Sequence, residues 1–408
     1  MRRLLALAWI LAAPAGAVEV DTLFKAQVLG GQYFFSGQKS DLAGNASVLA
    51  APALKFGEEF ALLPVAQASY QGAKRIVDLA GAGTLFQEQM DYRAAARAVW
   101  APRDSPWRLK PSFTYKYELL KETKDEDWGG GLFDYQKWSF GTEAEYVWRE
   151  PFSWRLGVDY YEVSFPNYTS LESQAALQFQ GQSLARELVG DHVLDTQNVG
   201  VSLALDGPLH ERVTWEGSAA VTYRRFPRQR VVDSVGGLTG DSRQDVYTAA
   251  RLAARMPAEL NRDLRVLGAL ELGFAYNASD QNSYDAAGVR YTPYYYNYGE
   301  WRLEPSLKFL AGPQGPGTRP MVLELTGSWW RRRYPYRTAQ DAAGAYGNGG
   351  LHTAGWSVGA NLSYPMLRRW SLVLDARLAR TSSNQDFEQF YRYNYSSANY
   401  LFGVSYEY

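Results

Sequence analysis

The chain has 408 residues, no cysteine and a formal net charge of −1. The lack of cysteine excludes disulfides and thiol catalysis, and the balanced charge argues against a nucleic-acid partner. Aromatic residues make up 15% of the chain, with 29 Tyr and 13 Trp, yet the mean hydropathy is −0.35. These values exclude a helical membrane span, whereas they fit a barrel in which half of each strand faces water.

The first residues predict a secretory signal peptide. Arg2 and Arg3 precede an apolar segment that ends at Ala13, and small residues then lead to Ala17. This order of basic, apolar and small residues predicts cleavage after Ala17. The apolar segment is too short to be an anchor that spans a bilayer. We therefore expect residues 1–17 to be removed and the mature protein to leave the cytoplasm.

Segments with a period of two recur along the rest of the chain, as is typical of β-strands with one apolar and one polar face. Sixteen of them can be counted, an even number, as expected when both termini lie on the same side of a membrane. They are 22–37, 44–56, 59–71, 87–100, 107–120, 135–149, 153–167, 193–205, 212–226, 243–256, 262–278, 296–310, 320–334, 351–364, 370–382 and 394–408.

The connections between these segments alternate between short and long. The short ones lie near 57–59, 101–106, 150–152, 206–211, 257–261, 311–319 and 365–369. The long ones are 72–86, 121–134, 168–192, 227–242, 279–295, 335–350 and 383–393. This alternation is typical of short periplasmic turns and long extracellular loops. It predicts that residues 18–408 form a single transmembrane β-barrel domain.

Four prolines fall inside predicted strands, where each removes one ladder hydrogen bond. They are Pro52, Pro64, Pro111 and Pro305. Bends or bulges at one level of the barrel would accommodate them. The alternatives are that the second and third strands are shorter than drawn, or that the barrel has fourteen strands.

The last stretch, 394–408, carries the most specific pattern. Large apolar side chains alternate there with small or polar ones, and they are Tyr400, Phe402, Val404, Tyr406 and Tyr408. The stretch resembles the C-terminal strand of Gram-negative outer-membrane β-barrel proteins, which ends on an aromatic residue, usually Phe. The resemblance implies an all-β antiparallel barrel in the cell outer membrane, in contact with outer-membrane lipid. It also implies that these five residues are the signal read by the barrel assembly machinery.

Tryptophans concentrate near the ends of the predicted strands. Because the indole ring prefers the membrane–water interface, they predict two aromatic girdles. Those assigned to the short-turn side are Trp100, Trp107, Trp148, Trp154, Trp215, Trp301 and Trp370. Trp138 and Trp329 belong to the long-loop side.

The opposite phase of the strands is polar, of mixed sign, and interleaved with Gly and Ser. The candidate pore-lining residues are Arg93, Arg97, Arg108, Lys116, Glu143, Glu145, Arg251, Arg255, Glu271, Arg302, Glu304, Asp375 and Arg377. A barrel of about sixteen strands is wide enough to hold water, so they predict a pore that selects solutes by size and charge. The alternative is an interior closed by salt bridges that conducts nothing.

Two long loops have patterns of their own. In 168–192, leucines and alanines recur at helical spacing, which favours a short amphipathic helix that narrows the mouth, as in the general porins that the barrel resembles. A helix outside the mouth and a pair of strands that extends the wall are the alternatives. The tyrosines of 279–295 suggest either an interface belt, which we favour, or a platform for sugar rings.

No catalytic pattern stands out. The chain has three histidines, His192, His210 and His352, of which His192 and His352 lie near the outer rim. No spacing typical of metal ligands, phosphate loops or nucleotide sites accompanies them. We therefore expect no enzymatic activity, no metal and no cofactor.

Together these patterns favour a porin-like channel for passive diffusion of small hydrophilic solutes, either as a monomer or as a homo-oligomer. The alternative is a barrel that serves export or assembly of a surface macromolecule, a polysaccharide or a lipoprotein, with a periplasmic partner. Barrels of that kind usually carry an N-terminal periplasmic helical-repeat domain, whereas strands are predicted here from about residue 22.

Overall fold

The computed structural model describes residues 18–36, 38, 40–79, 83–149, 152–169, 186–285, 289–313, 319–388 and 391–408. The signal peptide predicted for residues 1–17 lies outside the described residues and stays a prediction. Within the described ranges, no helix is long and apolar enough to cross a membrane.

The described residues form twenty-two strands and one turn of 3-10 helix at Arg186–Leu188. The strands are β1 (Glu19–Asp21), β2 (Phe24–Phe35), β3 (Asp41–Ala50), β4 (Ala53–Phe56), β5 (Phe60–Gln71), β6 (Arg75–Asp78), β7 (Gly83–Phe86), β8 (Glu88–Trp100), β9 (Trp107–Lys121), β10 (Tyr135–Arg149), β11 (Phe152–Ser164), β12 (Thr196–His210), β13 (Val213–Val232), β14 (Leu238–Asn261), β15 (Leu264–Ser279), β16 (Ser283–Asp285), β17 (Arg290–Thr292), β18 (Tyr298–Ala311), β19 (Met321–Gln340), β20 (Tyr346–Pro365), β21 (Trp370–Ser383) and β22 (Tyr395–Glu407).

Sixteen of these strands form a closed antiparallel barrel, as the sequence predicted. Each pairs with its neighbours in chain order, and β22 returns to pair with β2, from Lys25 opposite Glu407 to Phe35 opposite Ser397. The short segments β1 and β4 pair with each other and extend one end of the wall. The hairpins β6–β7 and β16–β17 stand apart as two small sheets.

Glycine is required at the seam between β2 and β22. A Cβ atom at Gly31 would overlap the carbonyl oxygen of Tyr400, and one at Gly403 would overlap that of Val28. The two strands therefore approach more closely here than any side chain on this face would permit.

The prolines are accommodated without a shift of register. Pro52 lies between β3 and β4, outside both strands. Pro64 stays in register with Ala96. Beside Pro111 the ladder between β8 and β9 has a gap, and beside Pro305 the ladder between β18 and β19 has another, but the pairing resumes unchanged. The ladder is therefore interrupted only beside Pro111 and Pro305, and the strand count stays at sixteen.

Two of the predicted loops are wrong, because the strands continue through most of 227–242 and 335–350. β13 and β14 leave only a tight turn, and so do β19 and β20. In the first turn the Asp233 carboxylate accepts hydrogen bonds from the backbone N–H groups of Val235 and Gly237. In the second turn the Asp341 carboxylate accepts hydrogen bonds from the backbone N–H groups of Ala343 and Ala345. A glycine with positive φ follows in each turn, so a few residues complete the reversal.

The outer wall is apolar, and tryptophans border it at both ends. Trp100, Trp107 and Trp370 are exposed near the short turns, and Trp138 is exposed towards the loops. The assignment of Trp301 to the short-turn side is wrong, since it lies near the start of β18, opposite Arg331. The prediction used only the closeness of Trp301 to a strand end and did not consider the direction in which the strand runs.

The alternation of faces predicts opposite effects for one charge placed at neighbouring positions of β12. Leu203 is exposed on the outer wall, and Ala204 faces the interior. Leu203→Arg should lower the free energy of unfolding by about 2–4 kcal/mol, because the charge would face lipid. Ala204→Arg, at the same depth, should be tolerated. Refolding yield into vesicles, read from heat-modifiable gel mobility, measures both, and an equal yield would contradict the assignment of faces.

Candidate channel and its outer closure

The charged residues of the strands meet on the inner face of the barrel. Arg97 on β8 reaches Glu143 on β10 across the intervening β9, with 3.2 Å between the guanidinium nitrogen and the carboxylate oxygen. Lys110 on β9 contacts both Glu143 and Glu145, at 3.1 and 3.0 Å. Side chains from three successive strands can meet in this way only where they project to the same side.

Similar contacts continue around the interior. Arg155 and Arg255 both contact Glu216, at 3.2 Å each. Arg251 contacts Glu271 at 2.5 Å. These groups carry both signs on the inner surface, and most of the cations are paired with an anion from another strand.

The structure places all thirteen candidate pore-lining residues on this inner face. Arg108 contacts Glu145 at 3.5 Å, and Arg302 contacts Glu304 at 3.6 Å. The remaining ones also face the interior: Lys116 binds Asp91 and Glu118, Asp375 accepts from Asn361, Arg377 approaches Ser357, and Arg93 lies opposite Lys116 in the ladder. Whether these residues line a conducting pore stays a proposal.

The interior is open in its periplasmic half and packed in its extracellular half. On β14, the side chains of Arg251 and Arg255 are 46% and 52% exposed, whereas Arg243, nearer the loops, is 8% exposed. A cavity of approximately 700 Å³ adjoins the open half and is bordered by Arg251, Arg255, Glu271 and Asp375. Such exposed charges require water around them.

The packed half is filled by what we call the outer closure, defined as the described residues of the loops 72–87, 122–134, 165–195, 280–297 and 384–394. Its residue Phe86 and the inner-face residue Leu120 of β9, each 1% exposed, belong to one buried apolar cluster. The hairpin β6–β7 is inside the barrel, because Ile76 and Leu85 pack against inner-face residues such as Leu401. The closure therefore fills the mouth from within.

One cation joins the hairpin to the opposite wall. The Arg332 guanidinium lies 2.8 Å from the Asp78 carboxylate on β6 and 2.8 Å from Glu300 on β18. It also stacks over the Tyr298 ring, at 4.1 Å. Asp78 belongs to the connection between β5 and β8, and five barrel strands (β2, β3, β20, β21 and β22) separate β5 from β19, so this pair links distant parts of the wall.

The buried pair Arg243 and Asp245 on β14 forms a second polar centre, which contacts the closure. Two nitrogens of Arg243 lie 2.9 and 2.7 Å from the two carboxylate oxygens of Asp245, in a bidentate arrangement. The guanidinium is sandwiched between the rings of Phe226 and Tyr296, at 4.1 and 3.9 Å. The Tyr296 hydroxyl donates to the buried Glu187 carboxylate, at 3.2 Å, and burial raises the pKa of Glu187.

The closure changes the interpretation of two loops. The expected interface belt of loop 279–295 is wrong for Tyr295 and Tyr296, which are enclosed by Arg337 and Arg243, and Tyr298 at the start of β18 also faces inward. The helix predicted within 168–192 falls mostly on residues outside the described part. Among the described residues of this loop, only Arg186–Leu188 forms a helical turn.

Arg332 was missed from the sequence, although a signal for it exists. Glu324, Thr326 and Ser328 carry the inner phase of β19, and Arg332 continues it by period two. The run of three arginines that ends at Arg333 lies within the predicted strand 320–334, but none of the three was assigned to a face from the sequence.

The histidines and the terminal strand can also be placed. His192 lies in the closure, with Nδ1 3.1 Å from the carbonyl oxygen of Phe165. His210 ends β12 on the periplasmic side, and His352 faces outward on β20. Among the described residues, no group of three or more potential metal ligands occurs.

The five residues predicted as the assembly signal follow the outer phase of β22 and continue to the residue after it. Tyr400, Phe402 and Tyr408 are exposed on that wall. The backbone N–H of Tyr408 donates to the Phe24 carbonyl, at 2.8 Å, so the end of the chain is paired with the start of the barrel. Their role in assembly stays a prediction.

A closed ladder of sixteen strands, an apolar wall with aromatic borders and a charged interior define a transmembrane β-barrel of the Gram-negative outer membrane. No family model matches the sequence, and no curated protein matches it.

Solved structures give matches of overall architecture. A bacterial polysaccharide outer membrane secretin is 11% identical over 94% of this chain and 98% of that chain, with a TM-score of 0.42. OmpT of Vibrio cholerae is 9% identical over 97% and 99%, with a TM-score of 0.44. OccD3 (OpdP) of Pseudomonas aeruginosa is 8% identical over 97% and 93%, with a TM-score of 0.44. Similarities at this level carry no functional assignment.

The closure contains a carboxyl group that should make its stability depend on pH. Burial, together with the Glu126 carboxylate, raises the pKa of Glu122 to about 7, and Tyr168 from a neighbouring loop faces the same group. Glu122 therefore binds its proton more tightly in the folded loop than in the unfolded chain. The free energy of unfolding of this loop should fall as the pH rises from about 4.5 to about 7 and then level off.

Hydrogen exchange at the backbone amides of 122–134, corrected for its intrinsic pH dependence, measures this effect. We expect faster exchange at about pH 8 than at about pH 5. Glu122→Gln should remove the difference, whereas Asp125→Asn, an exposed change in the same loop, should preserve it. An unchanged pH dependence in Glu122→Gln would contradict the assignment.

Proposed function

We propose that this barrel is a channel for passive diffusion of small hydrophilic solutes, and that its outer mouth is closed in the conformation described. The observation that supports the proposal most is the contrast along β14, from the buried Arg243 to the half-exposed Arg251 and Arg255. An interior kept for structure alone would gain nothing from solvated charges in one half. A water-filled path blocked by its own loops explains both halves.

The arrangement of charges supports selection by size and charge rather than binding of one substrate. The cavity of approximately 700 Å³ is bordered by groups of both signs, with Glu324 and Asp375 beside Arg251 and Arg377. Opposed acidic and basic groups orient water and small dipolar solutes and give only a modest overall preference.

The hairpin β6–β7 is the part of the closure best suited to move. It forms its own two-stranded sheet and shares no ladder with the barrel. It is held by the apolar contacts of Ile76, Leu85 and Phe86 and by polar links, which include the Asp78–Arg332 pair and the hydrogen bond from the Arg392 N–H to the Gly83 carbonyl, at 2.9 Å. Displacing it would therefore leave every wall hydrogen bond in place.

Single-channel recording on purified protein in a planar bilayer tests this proposal. We expect rare, short openings for the wild type. Asp78→Asn should increase the open fraction, because Arg332 loses one of its two carboxylate partners. Replacing 74–86 by a short Gly-Ser linker should give a stable open level. Asp125→Asn, the same charge change in an exposed loop, should behave as the wild type.

The absence of conductance steps in the wild type, in Asp78→Asn and in the linker variant would refute the channel. A barrel that serves export or assembly of a surface macromolecule would then be the better account.

The inner charges predict the ionic preference of the open state. Replacing Arg93, Arg97, Arg251 and Arg255 by Gln removes four positive charges from the inner face and leaves its carboxylates in excess, with Glu271 losing its ion-pair partner. The reversal potential in a salt gradient should therefore shift towards cations.

The matched variant replaces Glu143, Glu145, Glu271 and Glu304 by Gln and should shift the reversal potential towards anions. Recording both in the background of the linker variant isolates selectivity from opening. Equal reversal potentials in the two sets would place these residues outside the conducting path.

A further inference from the structure

Two arginines project from the outer wall of β19, on the face that meets lipid. Trp329 is exposed on this face, and Arg331 and Arg333 follow it at period two. The intervening Arg332 points inward and contacts two carboxylates. Neighbouring arginines on one strand are thus divided between two environments.

The level of the outward arginines is the extracellular border of the apolar wall. β19 begins at Met321, so Arg331 lies ten residues further along it. At about 3.3 Å per residue and a tilt of about 40°, this places Arg331 about 25 Å above the start of the strand, which is the usual height of the apolar band. The two guanidinium groups therefore lie where the headgroups of the outer leaflet lie.

Other residues complete a site around these arginines. A groove of approximately 540 Å³ is bordered by Arg331, Arg333, Tyr276 and His352, with Gly299 among its lining residues. Gly299 and His352 both lie opposite Arg333 in the ladders, so the absence of a side chain at Gly299 leaves room beside the guanidinium.

A third arginine and several indole rings extend the site. Arg380 on β21 lies opposite Trp356, which in turn lies opposite Trp329. Trp301 lies opposite Arg331. Cationic groups thus stand next to large apolar rings on four adjacent strands, an arrangement suited to a ligand that is anionic at one end and apolar at the other.

These three arginines face no acidic group. The outward positions at this level of β15, β18, β19, β20 and β21 are Tyr276, Gly299, Trp301, Arg331, Arg333, His352, Ala354, Arg380 and Ser382. Within the described residues, no ion pair includes Arg331, Arg333 or Arg380. The opposite side of the barrel differs, since Glu162 faces outward there beside Trp138.

We propose that this patch binds the phosphorylated headgroup of a glycolipid of the outer leaflet. A guanidinium group offers paired N–H donors that match two phosphate oxygens, and two such groups two residues apart can hold one phosphate or a neighbouring pair. The rings of Trp301 and Tyr276 would pack against the sugar and the upper acyl chains. Basic groups at a membrane border are known to select anionic lipids in this way.

Binding of fluorescent lipopolysaccharide to the full-length protein in detergent micelles tests the proposal. The combined variant Arg331→Gln, Arg333→Gln, Arg380→Gln should weaken binding by about a hundredfold, at about fivefold per arginine. Enzymatically dephosphorylated lipopolysaccharide should bind the wild type as weakly as the intact lipid binds the variant. Replacement of the same three residues by Lys should give an intermediate loss, since charge remains but the paired donors do not.

The matched control is Arg212→Gln, Arg262→Gln, Arg368→Gln, which removes the same charge from the periplasmic turns and should leave binding unchanged. All variants are first checked for heat-modifiable folding. Equal binding by the wild type and the Gln variant, or by intact and dephosphorylated lipid, would overturn the proposal. Competition by millimolar inorganic phosphate as effective as that of unlabelled lipid would also overturn it, because the patch would then be a site for free anions.

Discussion

The structure depends on one constraint, which is that a backbone N–H or C=O group in the hydrocarbon core has no water to bond. Each unpaired group there costs several kcal/mol, so a sheet in the membrane must close on itself. The pairing of β2 with β22 meets this requirement. Once the ladder is closed, every second side chain must face lipid and the others must face inward. The apolar wall and the charged interior are two results of the same geometry.

That geometry explains why arginine has three roles in one barrel. Arg251 is half-exposed in the open part of the interior and paired with a carboxylate. Arg332 is largely buried, where it contacts Asp78 of the inserted hairpin and Glu300 of the wall. Arg331 is one position away but faces outward, without an acid at its level. The side chain is the same in each case, and its depth and face determine whether it meets water, a carboxylate or a headgroup.

The period of two predicted most of the strands and the inward face of the thirteen candidate pore-lining residues, because both are local properties of the chain. It could not predict the outer closure, since residues such as Asp78 and Arg332 meet only after the barrel has formed. The strands of 227–242 and 335–350 were missed because Gly and Asp are abundant there, although one tight turn uses only a few of them. Trp301 was misplaced because distance from a turn says nothing about the direction in which a strand runs.

The seam has a consequence for how the chain folds. The seam pairs β2, near the start of the described chain, with β22, near its end. The hydrogen bond from the Ser396 N–H to the Ser36 hydroxyl oxygen connects residues 360 positions apart. All other wall pairs are hairpins or near neighbours that can form early, whereas this one requires almost the whole chain and costs the most chain entropy. The barrel should therefore remain an open curved sheet until the last strand arrives. The close glycine contacts between Gly31 and Tyr400 then make that final step intolerant of side chains, so the seam sets the fidelity of folding for the entire wall.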